Sequence, residues 1–261
     1  KQEDKQAYLM RAEVNLGLGN YEKAVDDYTE VIAQDPDSIK AYNNRGAAYN
    51  YLGKFAESKE DYQQVLELDP DNGRAYRNLG FLYMSQKKFK QAAANYKQAI
   101  EIYADQEGKN KKLAKSYSNL AVCEHKLGNY QTALKYSEQA LEYDADNTFA
   151  INNQGLVYVK LGKLKTAKER FKKALQIDPE FAKGYGGLGR VYYEQGKLDK
   201  AASKFRRATE LNVRNPKSYY YLGKIYQRQG KKEKALKKYK YAALLGNKQA
   251  LQKIKELNAE E

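Results

Sequence analysis

Apolar and small residues recur at helical spacing along the whole chain. In a typical stretch Tyr42 is followed by Gly46 four residues later and by Tyr49 three residues after that. A companion stretch places Ala92 and Tyr96 one turn apart. Residues three or four apart lie on one face of a helix, so both patterns predict amphipathic helices. Because the two patterns alternate, the chain is predicted to form successive pairs of helices.

The paired pattern repeats every 34 residues. The tripeptide that begins at Asp35 returns at Asp69, and glycines recur at the same interval. Lys87 occupies one glycine position, and the next glycine follows 41 residues later, so one unit carries 7 additional residues near Ala104–Leu113. A glycine at this point suits the end of a helix, where the backbone φ is positive. The glycines at these positions are Gly19, Gly53, Gly128, Gly162, Gly196 and Gly230.

A 34-residue helix–turn–helix unit of this kind resembles the tetratricopeptide repeat. The resemblance covers nearly the whole chain in seven units, although Tyr or Ile replaces the family's tryptophan and Ser137 replaces one second-helix aromatic residue. It implies an all-α, right-handed α-solenoid of about seven hairpins and a C-terminal capping helix, with Leu251, Ile254 and Leu257 on one face. We expect a single domain over residues 1–261, with the capping helix at 248–258 and repeats at 5–38, 39–72, 73–113, 114–147, 148–181, 182–215 and 216–247.

The resemblance also implies that the first helix of each hairpin lines a concave groove. Asparagine recurs at the sixth position of four successive first helices, and a carboxamide can pair with any peptide backbone because it both donates and accepts hydrogen bonds. This row resembles the asparagine ladder of domains that hold extended peptides; the alternative is that the asparagines merely solvate a groove-facing helix. The predicted groove residues are Asn44, Arg74, Arg77, Asn78, Phe81, Lys115, Asn119, Asn153, Lys183, Arg190, Tyr221 and Lys224.

Charge is distributed unevenly along the chain. Residues 1–110 hold 15 Lys and Arg against 18 Asp and Glu, whereas residues 111–261 hold 32 against 15. A strongly basic half favours acidic partners. We therefore expect a protein-binding adaptor that takes an extended acidic segment. Two alternatives stay open: a nucleic-acid or anionic-membrane scaffold that uses the basic C-terminal half, and the targeting arm of a larger enzyme. Self-association through apolar solenoid ends is a further option.

Catalytic and cofactor motifs give no support for an enzyme. The run Gly184–Gly189 matches G-x-G-x-x-G, but that motif binds dinucleotides only between a strand and a helix, and here it falls in a helical repeat. Cys123 and His125 are the only residues of their kinds, and two residues apart on a helix they do not face each other. The sequence predicts no enzyme activity, no cofactor and no metal.

Hydropathy gives a coarse prediction of where in the cell the chain is located. The mean hydropathy is −0.90, and no apolar run approaches the ~20 residues that cross a bilayer. These features favour a soluble chain, with the cytoplasm slightly preferred. A periplasmic or envelope-associated location stays open if an upstream signal was removed.

Overall fold

The computed structural model describes residues 2–106, 108 and 110–259, and within them it contains helices and turns but no strand. This confirms the predicted all-α fold. The helices are α1 Gln2–Leu18, α2 Tyr21–Gln34, α3 Ile39–Tyr51, α4 Phe55–Leu68, α5 Gly73–Ser85, α6 Phe89–Ala104, α7 Asn110–Leu127, α8 Tyr130–Tyr143, α9 Thr148–Lys160, α10 Leu164–Ile177, α11 Ala182–Glu194, α12 Leu198–Leu211, α13 Pro216–Arg228, α14 Lys232–Leu244 and α15 Lys248–Asn258.

The helices fall into two compact units, Lys1–Asp144 and Ala145–Glu261. The first unit contains the four hairpins α1–α2, α3–α4, α5–α6 and α7–α8, and the second contains α9–α10, α11–α12, α13–α14 and the additional helix α15. Within each unit the two helices of a hairpin pack on each other, and the second helix packs on the first helix of the following hairpin. The single domain over 1–261 stays a prediction.

Short turns at the predicted glycines join the helices of each hairpin. Gly53 has φ +76, and the following Lys54 donates its backbone N–H to the carbonyl of Tyr49 at 2.9 Å, which closes the helix end. The other predicted glycines also have positive φ. Lys87 adopts the same left-handed conformation with φ 60, although its side chain makes that region costly. Backbone geometry therefore preserves the turn where the sequence departs from glycine.

The core of most hairpins is a small first-helix residue against a large second-helix ring, whereas the α7–α8 hairpin has Ser137 in place of the ring. A Cβ at Gly46 would lie 2.8 Å from the Tyr62 ring, and one at Gly155 would lie 2.6 Å from the Phe171 ring. Side chains at these positions would hold the two helices apart, so the glycines set the close approach. The fully buried second-helix rings are Tyr28, Tyr62, Tyr96, Phe171, Phe205 and Tyr239.

The seven additional residues of the third unit extend two helices instead of forming a long loop. Helix α6 continues to Ala104 and helix α7 begins at Asn110, so both are longer than their counterparts. Tyr103 and Leu113 are buried at the two ends of this segment. Glu107 and Lys109 lie outside the described residues.

Helix α15 packs on α14 and matches the predicted capping helix. Ala250 and Leu257 are buried and Ile254 is partly buried against Tyr239, whereas Leu251 is 51% exposed. The expectation that Leu251 shares the packed face was therefore wrong, because the face follows the 250–254–257 spacing. None of the described helices combines the length and the apolar character that crossing a membrane requires.

Candidate peptide-binding faces

Neighbouring first helices contact each other in both units, although α5 and α7 touch at most weakly. In the first unit α3 contacts α1 and α5, and in the second unit α11 contacts α9 and α13. We call the surface of α1, α3, α5 and α7 the N-terminal first-helix face, and the surface of α9, α11 and α13 the C-terminal first-helix face. All twelve predicted groove residues lie on these first helices.

The asparagines of the N-terminal first-helix face differ in accessibility. Asn44 is only 4% exposed, and its side-chain oxygen accepts a hydrogen bond from the Arg74 guanidinium. Asn78 is half-buried and donates to the side-chain oxygen of Asn43 at 3.4 Å. Asn119 on α7 is also half-buried. Asn78 and Asn119 are therefore the members of this row that a peptide could reach, whereas Asn44 serves to position Arg74.

Exposed aromatic rings accompany these asparagines. Tyr21 stacks on Tyr51 with ring centroids 4.7 Å apart, and Tyr51 lies 6.3 Å from Phe81 in a tilted arrangement. Tyr51 is 57% exposed and Phe81 is 40% exposed. Aromatic side chains supply large apolar contact area. Sequence reasoning selected Phe81 but missed Tyr21, because Tyr21 begins a second helix and only its place beside the hairpin turn brings it to this row.

Carboxylates neutralise several cations in the first unit. Lys40 pairs with Glu13 at 2.6 Å across α1 and α3, and Arg45 forms two hydrogen bonds to the buried Asp61 carboxylate. Arg77 is half-buried on α5, and Lys115 is exposed on α7. Carboxylates therefore neutralise Lys40 and Arg45, and residues 1–110 as a whole hold slightly more acidic than basic side chains.

Tyrosine rings surround a lysine on the C-terminal first-helix face. The Lys224 ammonium lies 5.0, 5.9 and 5.7 Å from the ring centroids of Tyr193, Tyr220 and Tyr221. The Arg228 guanidinium lies 4.4 Å from the Tyr193 centroid. Cation–π attraction holds these side chains in place without neutralising their charge. The predicted Tyr221 is thus part of the support for Lys224.

Three further cations lie next to one another on α11 and α13. The Lys183 ammonium lies 4.6 Å from the Phe149 centroid, a contact that sequence reasoning missed because Phe149 stands where other repeats carry a cation. Loss of surrounding water lowers the pKa of Lys217, and the positive charges of Arg190 and Lys183 lower it further.

Carboxylates are scarce around these cations. Arg190 has one carboxylate neighbour, Glu194 at 3.7 Å, which is beyond hydrogen-bond distance. Within the described part of the chain, Lys183, Lys217 and Lys224 form no ion pair. The predicted Asn153 is 2% exposed and lies beneath this surface.

The glycine run of α11 and the single cysteine have structural positions in the fold. The run Gly184–Gly189 lies inside α11, where Gly187 packs against Phe171 and Gly189 against Phe205. Cys123 is fully buried, and burial raises the pKa of its thiol to about 12. No group of three or more His, Cys, Asp or Glu in the described residues could hold a metal ion.

Models of one repeat type match most of the sequence. A tetratricopeptide repeat model matches residues 71–146, a TPR repeat model matches 17–50, 155–196 and 189–230, and a further tetratricopeptide repeat model matches 39–72. No curated protein matches the chain in sequence.

Solved structures resemble the chain in fold. One is a chain of the APC/C hetero-tetramer Cut9–Hcn1, with 16% identity and a TM-score of 0.78 over 97% of this chain; the match spans about half (49%) of that chain. A tetratricopeptide repeat protein from Parabacteroides merdae ATCC 43184 gives 19% identity and a TM-score of 0.76 over 98% of this chain and 97% of that one. Pseudomonas aeruginosa PilF gives 18% identity and a TM-score of 0.67 over 87% of this chain and 98% of that one. These likenesses concern the fold alone, but with the repeat models they place the chain in the tetratricopeptide repeat family.

Proposed function

We propose that the chain is a protein-interaction scaffold that holds an extended acidic segment of a partner protein against its first-helix faces, and that it acts by binding and not by catalysis. Membership of the tetratricopeptide repeat family supports the scaffold. The side chains on these faces support the acidic nature of the partner.

The observation that carries the proposal is the unneutralised positive charge of the C-terminal first-helix face. Residues 145–261 hold 27 Lys and Arg against 11 Asp and Glu. Lys183, Lys217 and Lys224 lie on one face, and among the described residues the one carboxylate paired with Arg190 is that of Glu194, at 3.7 Å. Placing like charges together costs free energy that an acidic ligand would recover.

The N-terminal first-helix face would contribute neutral contacts to the same kind of ligand. The carboxamides of Asn78 and Asn119 can pair with peptide N–H and C=O groups regardless of sequence. Tyr51 and Phe81 offer exposed rings for apolar side chains between the acidic residues. A ligand of mixed acidic and apolar sequence would therefore fit this face better than a purely acidic one.

Binding of three labelled 12-residue peptides tests the proposal. One carries glutamate with leucine at every third position, and the others replace all glutamates by glutamine or by lysine. Fluorescence anisotropy should give an affinity for the glutamate peptide about tenfold or more above that for the glutamine peptide, since two charge-assisted contacts suffice for this. We expect Asn78→Ala/Asn119→Ala to weaken binding while circular dichroism stays unchanged. Equal affinity for all three peptides would contradict the proposal.

A second candidate function is attachment to an anionic membrane through helix α14. Leu244 is 83% exposed and Tyr241 is 44% exposed, and Lys237 and Lys240 are exposed on the same helix. Apolar side chains flanked by lysines suit an anionic bilayer surface. Sedimentation with phosphatidylserine vesicles should retain the chain, and Leu244→Ser/Tyr241→Ser should abolish retention. Equal retention of the two proteins would remove this candidate.

A further inference from the structure

One glycine of helix α11 has no role in packing. Gly187 and Gly189 abut aromatic rings, so a side chain at either position would clash. By contrast, a Cβ at Gly186 would meet only the Ser218 side-chain oxygen at 3.6 Å, which is an ordinary contact. Gly186 also has no positive φ. Glycine inside a helix costs about 1 kcal/mol relative to alanine, and nothing in the fold offsets that cost here.

Three cations surround this bare stretch of backbone. Lys183 precedes Gly186 by three residues and Arg190 follows it by four, so both lie on its face of α11. Lys217 adjoins Ser218, the residue whose side chain is nearest to the missing Cβ. The Arg190 Nε is buried, donates no hydrogen bond and lies 3.7 Å from a Glu194 carboxylate oxygen. A cationic rim therefore encloses a floor that lacks a side chain.

We propose that Gly186 is the floor of a subsite that takes one doubly charged anionic group of the bound segment, and that Lys183, Arg190 and Lys217 hold that group. The peptide form of such a group is a phosphorylated serine side chain. This inference rests on the proposed function, because it concerns the anchor of the same acidic segment.

Charge and shape both favour a dianion. A phosphate carries nearly two charges near neutral pH and three acceptor oxygens, which matches a rim of three cations better than one carboxylate does. The Arg190 guanidinium can offer two parallel N–H groups from its terminal nitrogens to a phosphate. A side chain at position 186 would fill the space in which the anion approaches the α11 backbone.

Three matched peptides test the subsite. Each is the 12-residue peptide of glutamate with leucine at every third position, and one central position carries serine, glutamate or phosphoserine. Phosphoserine should raise the affinity about tenfold or more over serine, because it adds charge-assisted hydrogen bonds, and glutamate should fall between them. Gly186→Leu and Arg190→Gln should each remove this gain.

Two control variants separate the subsite from general effects. Gly17→Leu changes another helical glycine that has no atom within 4 Å of its missing Cβ, so it reports the effect of helix propensity alone. Lys200→Gln removes one exposed charge from α12. Both should keep the full preference for phosphoserine. Thermal unfolding of Gly186→Leu should show a folded protein, since a Cβ at this position would meet only the Ser218 side-chain oxygen, at an ordinary contact distance of 3.6 Å.

The outcomes distinguish this inference from the broader proposal. If the serine peptide binds and phosphoserine adds nothing, the subsite is refuted while the acidic-segment scaffold stands. If Gly186→Leu retains the phosphoserine gain, the floor is not where the anion lies and the inference also fails. If none of the three peptides binds the wild-type chain, the proposed function itself is refuted.

Discussion

At the residue scale, the fold depends on contacts that leave no room for a single methyl group. At Gly155 an added Cβ would lie 2.6 Å from the Phe171 ring. Overpacking of this kind costs about 1–3 kcal/mol and outweighs the gain in helix propensity, so Gly155→Ala should lower the free energy of unfolding by about 1–2 kcal/mol in urea titrations. Gly17→Ala is the control and should raise stability slightly through helix propensity. Equal stability changes in the two variants would show that the predicted close packing does not govern the fold.

Cys123 gives a second residue-scale prediction. Its side chain is fully buried, and burial raises its pKa to about 12, so almost no thiolate forms near pH 8. Iodoacetamide at pH 8 should therefore leave the folded chain unmodified over hours and label it rapidly in urea. Mass spectrometry reads the label directly. Rapid labelling of the folded chain would mean that α7 opens or packs differently.

At this scale, the helix that each residue occupies was the most predictable feature of the molecule. The repeat was enough to place Gly46 on a first helix, whereas its contact with Tyr62 of the second helix emerged only from the structure. The burial and the hydrogen-bond partner of the Asn44 side chain were not predictable. Whether a carboxamide faces solvent or is held by a neighbour depends on the reach of Arg74 from the next hairpin. The sequence pattern fixes which helix a residue occupies but not which hydrogen bond it forms.

At the scale of elements, the turn at Lys87 is the place where local geometry and sequence disagree. Lys87 has φ 60 in a position that glycine fills elsewhere. Lys87→Gly should raise the free energy of unfolding by about 0.5–1 kcal/mol, because relief of the left-handed strain exceeds the extra entropy of the unfolded chain. Gly53→Ala should lower the free energy of unfolding, because it places a side chain at a residue with positive φ. Denaturant midpoints that shift in the same direction would refute the strain argument.

The additional residues between α6 and α7 mark the limit of prediction for elements. The 41-residue interval between Lys87 and Gly128 predicted the number and position of the additional residues, but it could not predict which of them are helical and which form the turn. Helix α7 gains residues at its start and α6 at its end because Leu113 and Tyr103 bury side chains there. Burial of particular side chains, which depends on tertiary contacts, decided the boundaries.

At the scale of the whole molecule, charge is the property most relevant to partners. Residues 111–261 carry a net charge of +17, whereas residues 1–110 carry −3. If an acidic segment binds through exposed cations, its affinity should fall steeply with ionic strength, because salt screens such charges within about 10 Å at 0.1 M. Anisotropy titrations of the glutamate peptide at 50 and 300 mM NaCl should show this loss. Affinity that is independent of salt would indicate apolar binding instead.

The most direct test of the scaffold account compares two charge-reversed variants of equal net charge. Arg190→Glu/Lys224→Glu changes the C-terminal first-helix face, whereas Lys172→Glu/Arg206→Glu changes exposed residues of α10 and α12. With both variants shown to be folded by circular dichroism, their affinities for the glutamate peptide are measured side by side. The account predicts that the first variant loses binding and the second retains most of it. Equal loss in both would contradict the account, since net charge alone would then explain the binding.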